Sequence, residues 1–217
     1  MADNQIYSII QSPNHSIQIG VTGGIGSGKS VVCRIFEALG APIYNADDRA
    51  KWLINHDEPL KIAIKNLLGE IAYLPDGSYN RVWVAAQVFN NAVLLQQLNA
   101  LVHPLVFEDA AAWLRQHQNA PYVVRESALM KKGTGIDKIV VIHAPVATRI
   151  KRIKQRDPQR SEQEIRDIIA RQMPDSERLA MADFVIYNDE TQLLIPQVLR
   201  VFELISSQQS TVGSVVN

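Results

Sequence analysis

Cysteine is almost missing from this chain. Cys33 is the only one among 217 residues, so no intrachain disulfide can form, which suits a reducing compartment such as the cytoplasm. An excess of charge is missing too. The 22 lysines and arginines match 22 aspartates and glutamates, which removes any bulk attraction to nucleic acid or to an anionic membrane. No apolar run approaches the roughly 20 residues needed to span a bilayer. The opening MADNQIYSIIQSPNHS lacks the basic start and long apolar run of a secretory signal. No internal repeat occurs, and nothing points to an obligate protein partner. What remains is the composition of a soluble globular protein, 47% hydrophobic and 20% charged, long enough for one domain with insertions.

Five short apolar runs predict strands: IQIGV at 17–21, APIYN at 41–45, PYVVRE at 121–126, KIVVIHA at 138–144 and DFVIYN at 183–188. Several are continuous rather than alternating, as in strands buried on both faces. Helical stretches separate them. The first, SVVCRIFEALG, places Val32, Ile35, Phe36 and Leu39 on one face, carries Cys33 there as an inert core thiol, and stops at Gly40. Alternating strands and helices predict an α/β fold with a parallel sheet covered on both sides.

Two segments break the alternation. Residues 49–118 are helical in pattern around the turn-rich YLPDGSYN, and read as an inserted helical domain. Residues 149–178 are rich in basic side chains, with a capping box predicted at Ser161 and Glu164 and Pro174 just past the helix end. They read as a helical flap, with the lid proper at 151–175. The core is then 16–48, 119–150 and 176–205, and residues 1–15 and 206–217 are expected to be flexible.

The stretch GVTGGIGSGKSVV, residues 20–32, carries G-x-x-x-x-G-K-[ST] on Gly23, Gly28, Lys29 and Ser30. Glycines let main-chain N–H groups approach phosphate oxygens. The helix that follows adds the positive end of its dipole. Lys29 can reach the β and γ phosphates, and the Ser30 hydroxyl can ligate Mg²⁺. A bare glycine turn is the alternative, but a strand precedes the motif and an amphipathic helix follows it. GTPases and motor ATPases share such a cradle. N-K-x-D and D-x-x-G, the base-reading and switch elements of GTP-specific proteins, are both lacking. A small-molecule kinase with a closing flap remains.

The second strand ends in PIYNADD, which brings Asn45, Asp47 and Asp48 to the carboxyl end of the sheet, where ligands bind. Here the chain resembles the dephospho-coenzyme A kinase family. The carriers are TGGIGSGKS at 22–30, Asn45-Ala46-Asp47, LNALVHPLV at 98–106, KRIKQRD at 151–157, ARQM at 170–173 and ADFVIYN at 182–188. The likeness runs from about 17 to 205. It implies a P-loop, three-layer α/β/α fold of the nucleoside-monophosphate-kinase kind, with a five-stranded parallel sheet, an inserted substrate domain and a lid. It also implies transfer of the γ-phosphoryl of ATP to the 3′-hydroxyl of the dephospho-coenzyme A ribose. Two rival readings are a kinase of the same architecture with another acceptor and a non-catalytic ATP-binding module.

The resemblance assigns Thr22, Gly23, Gly24, Ile25, Gly26, Ser27, Gly28, Lys29, Ser30, Val31 and, on the adenine side, Asn188 to nucleotide binding. Asp47 engages the acceptor hydroxyl, the alternative being that Asp47 or Asp48 only caps the following helix. Arg152 and Arg156 match lid arginines that stabilise growing phosphate charge, against the bland reading of a solvated charged face. Glu126 either holds Mg²⁺ through water or bonds nearby backbone. Asn45 replaces the first aspartate of the family motif. Lys131 and Lys132 stand where the family carries an apolar run, and could meet a substrate phosphate. His103 reads as a packing residue.

Overall fold

The computed structural model describes residues 16–212, apart from Asn90, Leu129, Lys131, Lys132 and Thr134. The chain divides into two compact units. One joins the residues up to Tyr44 with those from His117 onward, and the other is Asn45–Gln116.

The first unit is built on a five-stranded sheet: β1 (Ile17–Gly23), β2 (Ile43–Asn45), β3 (Tyr122–Glu126), β4 (Lys138–His143) and β5 (Phe184–Tyr187), in the order β2-β3-β1-β4-β5. β1 runs parallel to β3 and β4, and β4 runs parallel to β5. The continuous apolar runs have a simple cause: both faces are covered. On one face Ile19, Val21, Val124, Val140, Ile142 and Ile186 pack against Val32, Cys33 and Phe36 of α1 (Lys29–Ala38). Val198, Val201 and Ile205 of the last helix, Leu194–Val212, complete that core. On the other face Ile139 and Val141 meet Met130, Ile136 and Leu179. The flap consists of α6 (Val146–Arg156), α7 (Glu162–Arg171) and α8 (Asp175–Ala180). Ile150, Ile153 and Ile165 form its small core. The predicted capping box is present: Ser161 Oγ accepts from the Glu164 N–H at 3.2 Å, and Glu164 accepts from the Ser161 N–H at 2.7 Å.

The second unit contains α2 (Ala46–His56), α3 (Glu58–Leu68), α4 (Arg81–Phe89) and α5 (Ala92–Gln116), with α5 packed against the other three. Its core holds Leu53, Leu60, Ile64, Tyr73, Val84, Leu98 and Val102.

Several boundaries differ from the sequence reading. β2 starts at Ile43 rather than 41, because the Ala41 N–H closes the end of α1 on the Phe36 carbonyl at 3.0 Å. The helical unit spans Asn45–Gln116 rather than 49–118. The lid limits of 151 and 175 fall inside α6 and at the start of α8, since α6 already begins after Pro145. The last helix (α9) continues to Val212, past the 206 limit set for a flexible tail, and residues 1–15 and 213–217 lie outside the described residues.

Candidate active site

The glycine loop leaves the end of β1 and turns into α1 at Gly28. That residue has φ of 98°, which an L side chain rarely adopts, and a Cβ there would stand 2.2 Å from Asn188 Nδ2. No side chain caps α1, and its first turn carries no acidic residue. The amino end of the helix therefore presents main-chain donors and a positive dipole end to the loop. Lys29 Nζ lies over the loop and donates to the Gly23 carbonyl at 3.0 Å. Thr22 Oγ1 and Ser27 Oγ are buried within it and have no hydrogen-bond partner among the described residues. Val31 is exposed on the first turn of α1.

Glu126 ends β3, next to β1 in the sheet, and is only 6% exposed. Its Oε1 accepts from Ser30 Oγ at 3.3 Å, so the two residues predicted around a metal ion stand together. A hydroxyl and a carboxylate are hard oxygen donors of the kind Mg²⁺ takes, with phosphate oxygens and waters completing its shell. Among the described residues no cluster of three metal-ligating side chains exists. A dedicated protein cage is therefore not what this pair offers. Cys33 lies beside Glu126 on the buried face of α1. Burial first, and then the neighbouring Glu126, push its thiol well above the usual range and keep it protonated.

On the flap side, Arg152 Nη2 donates to Asn188 Oδ1 at 3.3 Å and pairs with Glu190 Oε1 at 3.4 Å. Its Nη1 is buried with no partner among the described residues. Asn188 Nδ2 donates to the Ser27 carbonyl at 2.8 Å, so Asn188 ties the end of β5 to the loop. Arg156 is exposed in the last turn of α6 and forms no ion pair among the described residues.

In the helical unit the cap prediction is corrected. Neither Asp47 nor Asp48 caps α2. Asn45 does, its Oδ1 accepting from the Asp48 N–H at 3.0 Å. Its extended backbone (φ −98°, ψ 104°) places it just outside the helix, where Asn is as good a cap as Asp. Asp48 pairs with Lys51 at 2.6 Å on the surface. Asp47, in the first turn, is exposed, and its carboxylate has no hydrogen bond or ion pair among the described residues. His103 is exposed rather than packed, in a shallow apolar groove with Leu95, Pro104 and Phe107. Lys131 and Lys132 lie outside the described residues.

Sequence reasoning missed Arg149, Gln172, Asp175 and Arg178 as residues that touch the loop or support those that do. Arg149 Nε donates to the Ile25 carbonyl at 2.9 Å. Gln172 Oε1 accepts from the Ile25 N–H at 2.9 Å. The available signal was periodicity: Arg149 falls on the stripe of α6 that carries Ile150 and Ile153, and a charge on an apolar stripe demands a buried partner.

Comparison with known proteins matches this arrangement. The family profile for dephospho-CoA kinase covers residues 17–193. The dephospho-CoA kinase of Porphyromonas gingivalis is 34% identical over 195 residues, 89% of this chain and 96% of that protein. That of Coxiella burnetii is 39% identical over 180 residues, 81% and 89% of the two chains. A crystal structure from Thermus thermophilus superposes with a TM-score of 0.75 at 28% identity, covering 89% of this chain and 98% of that one. The shikimate kinase of Acinetobacter baumannii, at TM-score 0.50 and 14% identity over 92% and 98% of the two chains, shares the fold alone. With the loop, its flanking strand ends and nearly the whole length accounted for, the chain belongs to the dephospho-CoA kinase family.

Proposed function

We propose that Asp47 engages the ribose 3′-hydroxyl of dephospho-CoA in the ATP-dependent phosphoryl transfer that this chain performs as a dephospho-CoA kinase, the last step of coenzyme A synthesis. The observation that carries the assignment is that the Asp47 carboxylate makes no hydrogen bond or ion pair among the described residues. Asn45 caps α2 and Asp48 pairs with Lys51, while the Asp47 carboxylate stays exposed two residues beyond the end of β2. Ligands of open α/β sheets bind beyond the carboxyl ends of their strands, which supports this place for it. A carboxylate is a weak base. That suffices, because a loose phosphoryl-transfer transition state needs the nucleophile oriented more than deprotonated early.

The triphosphate of ATP lies along residues 22–31, with the main-chain donors of the loop and the amino end of α1 on its oxygens and Lys29 reaching the β and γ groups. Lys29 Nζ exchanges its bond to the Gly23 carbonyl for phosphate oxygen. Ser30 and, through water, Glu126 are the residues that would hold Mg²⁺, which when bound neutralises phosphate charge. Arg152 offers its buried Nη1 to the transferring group, and Arg156 approaches from the last turn of the same helix. Asn188 fixes the loop at Ser27 on the adenine side. A single buried cysteine fits a reducing cytoplasm as the place of action.

Asp47→Asn should lower kcat by roughly 10²- to 10⁴-fold with little change in ATP affinity. A near-normal kcat in coupled ADP release with dephospho-CoA would move the acceptor contact elsewhere. The rival reading, the same fold with a different acceptor, is answered by competition: saturating dephospho-CoA should suppress turnover of any other alcohol.

A further inference from the structure

Arg149 is 2% exposed and heads the fully buried side chains by volume, yet the catalytic set makes no use of it. A guanidinium is withdrawn from water only where its donors are met, and here all three nitrogens are engaged. Nη1 donates to both carboxylate oxygens of Asp175 at 3.2 and 3.1 Å, Nη2 to Gln172 Oε1 at 3.4 Å, and Nε to the Ile25 carbonyl at 2.9 Å. Asp175 is shared with buried Arg178, whose Nη2 also holds the Met173 carbonyl at 2.7 Å.

Ile25 is therefore gripped from every side. Its N–H goes to Gln172 Oε1, its carbonyl to Arg149, and its side chain into the core of Ile150, Ile153 and Ile165. The peptide unit is planar and trans, so the N–H and the carbonyl of one unit point in opposite directions. Pulling the Ile25 carbonyl toward Arg149 aims the Gly26 N–H away from the guanidinium. Pulling the Ile25 N–H toward Gln172 turns the Gly24 carbonyl the other way, where it accepts from the Ser27 N–H at 3.1 Å and Lys29 Nζ at 3.5 Å. Gly24 is also the only residue type that fits under the guanidinium: a Cβ there would lie 2.3 Å from Arg149 Cζ.

We propose that Arg149, acting with Gln172, is a positioning residue for phosphoryl transfer, setting the aim of the loop's main-chain donors and making it depend on the order of segment 172–178. The assignment rests on the reading of residues 22–31 as the ATP cradle. A purely structural cluster would stabilise the flap and leave nucleotide binding alone.

The test compares Gln172→Met, which keeps size and loses the acceptor, with Gln172→Glu, which keeps the acceptor, and with Arg149→Lys. Calorimetric titration with Mg·ATP is run beside steady-state kinetics and urea unfolding on the full chain. Gln172→Met should raise the Kd and KM for ATP about tenfold, the effect of one lost hydrogen bond of about 1.4 kcal/mol. The KM for dephospho-CoA should not change, and Gln172→Glu should recover ATP affinity to within about threefold. Arg149→Lys should lower kcat/KM for ATP by roughly 10- to 100-fold. Should Arg149→Lys fail to fold, the Gln172 pair decides alone. ATP parameters of Gln172→Met within about twofold of the parent, or equal losses for ATP and acceptor, overturn the inference. A parent chain that does not bind Mg·ATP at all overturns the cradle reading instead.

Discussion

Asn45 stands where the family motif carries an aspartate, and in this chain it caps α2. Its Oδ1 supplies the oxygen that the Asp48 N–H requires, and asparagine and aspartate rank alike as caps. Asn45→Asp should leave the urea midpoint nearly unchanged, while Asn45→Ala should cost about 1 kcal/mol. Equal losses in both variants would mean that the cap bond contributes nothing. The sequence alone did not resolve this site. Asn45, Asp47 and Asp48 are three good capping residues within four positions, and only backbone angles say which stands just outside the helix. Arg149 was opaque for a different reason. Nine basic residues in one run look alike, and its contact with Ile25 joins positions 124 apart.

At the scale of elements, the turn between α3 and α4 has an alkaline signature. Tyr73 and Tyr79 form an isolated antiparallel bridge, with their rings edge to face at 5.6 Å. Burial pushes the Tyr79 hydroxyl up to about 12, and pushes Tyr73 in the same direction. The unfolded chain ionises these groups near 10, so above that pH it binds fewer protons than the folded one. The stabilisation is complete below about pH 10 and is lost as pH rises through about 12. Urea midpoints measured from pH 9 to 12 should fall, and Tyr79→Phe should flatten part of the slope. An identical slope in the variant would place Tyr79 in water. The sequence marked YLPDGSYN as a turn, since Asp76 and Gly77 are turn formers. It carried no sign that the flanking tyrosines close over each other.

For the molecule as a whole, five strands were legible because the apolar runs are short and continuous, but the expectation of a helix between each pair fails once, since among the described residues none lies between β3 and β4. The order of the strands was not legible, because periodicity says which faces are buried and nothing about neighbours in the sheet. Balanced charge has a consequence at this scale too. With 22 positive and 22 negative side chains, long-range self-repulsion vanishes near neutrality. Light scattering of concentrated solutions should therefore peak near pH 7 and decline toward pH 5 and pH 9. A flat profile would show that local charge, not net charge, governs association.

The rims of the sheet decide what such association can become. β2 offers three residues and β5 four, while the long ladders lie inside. Among the described residues a neighbouring chain finds little edge-strand backbone to copy, so clustering at neutral pH should yield loose, redissolving droplets or precipitate of native molecules rather than fibrils.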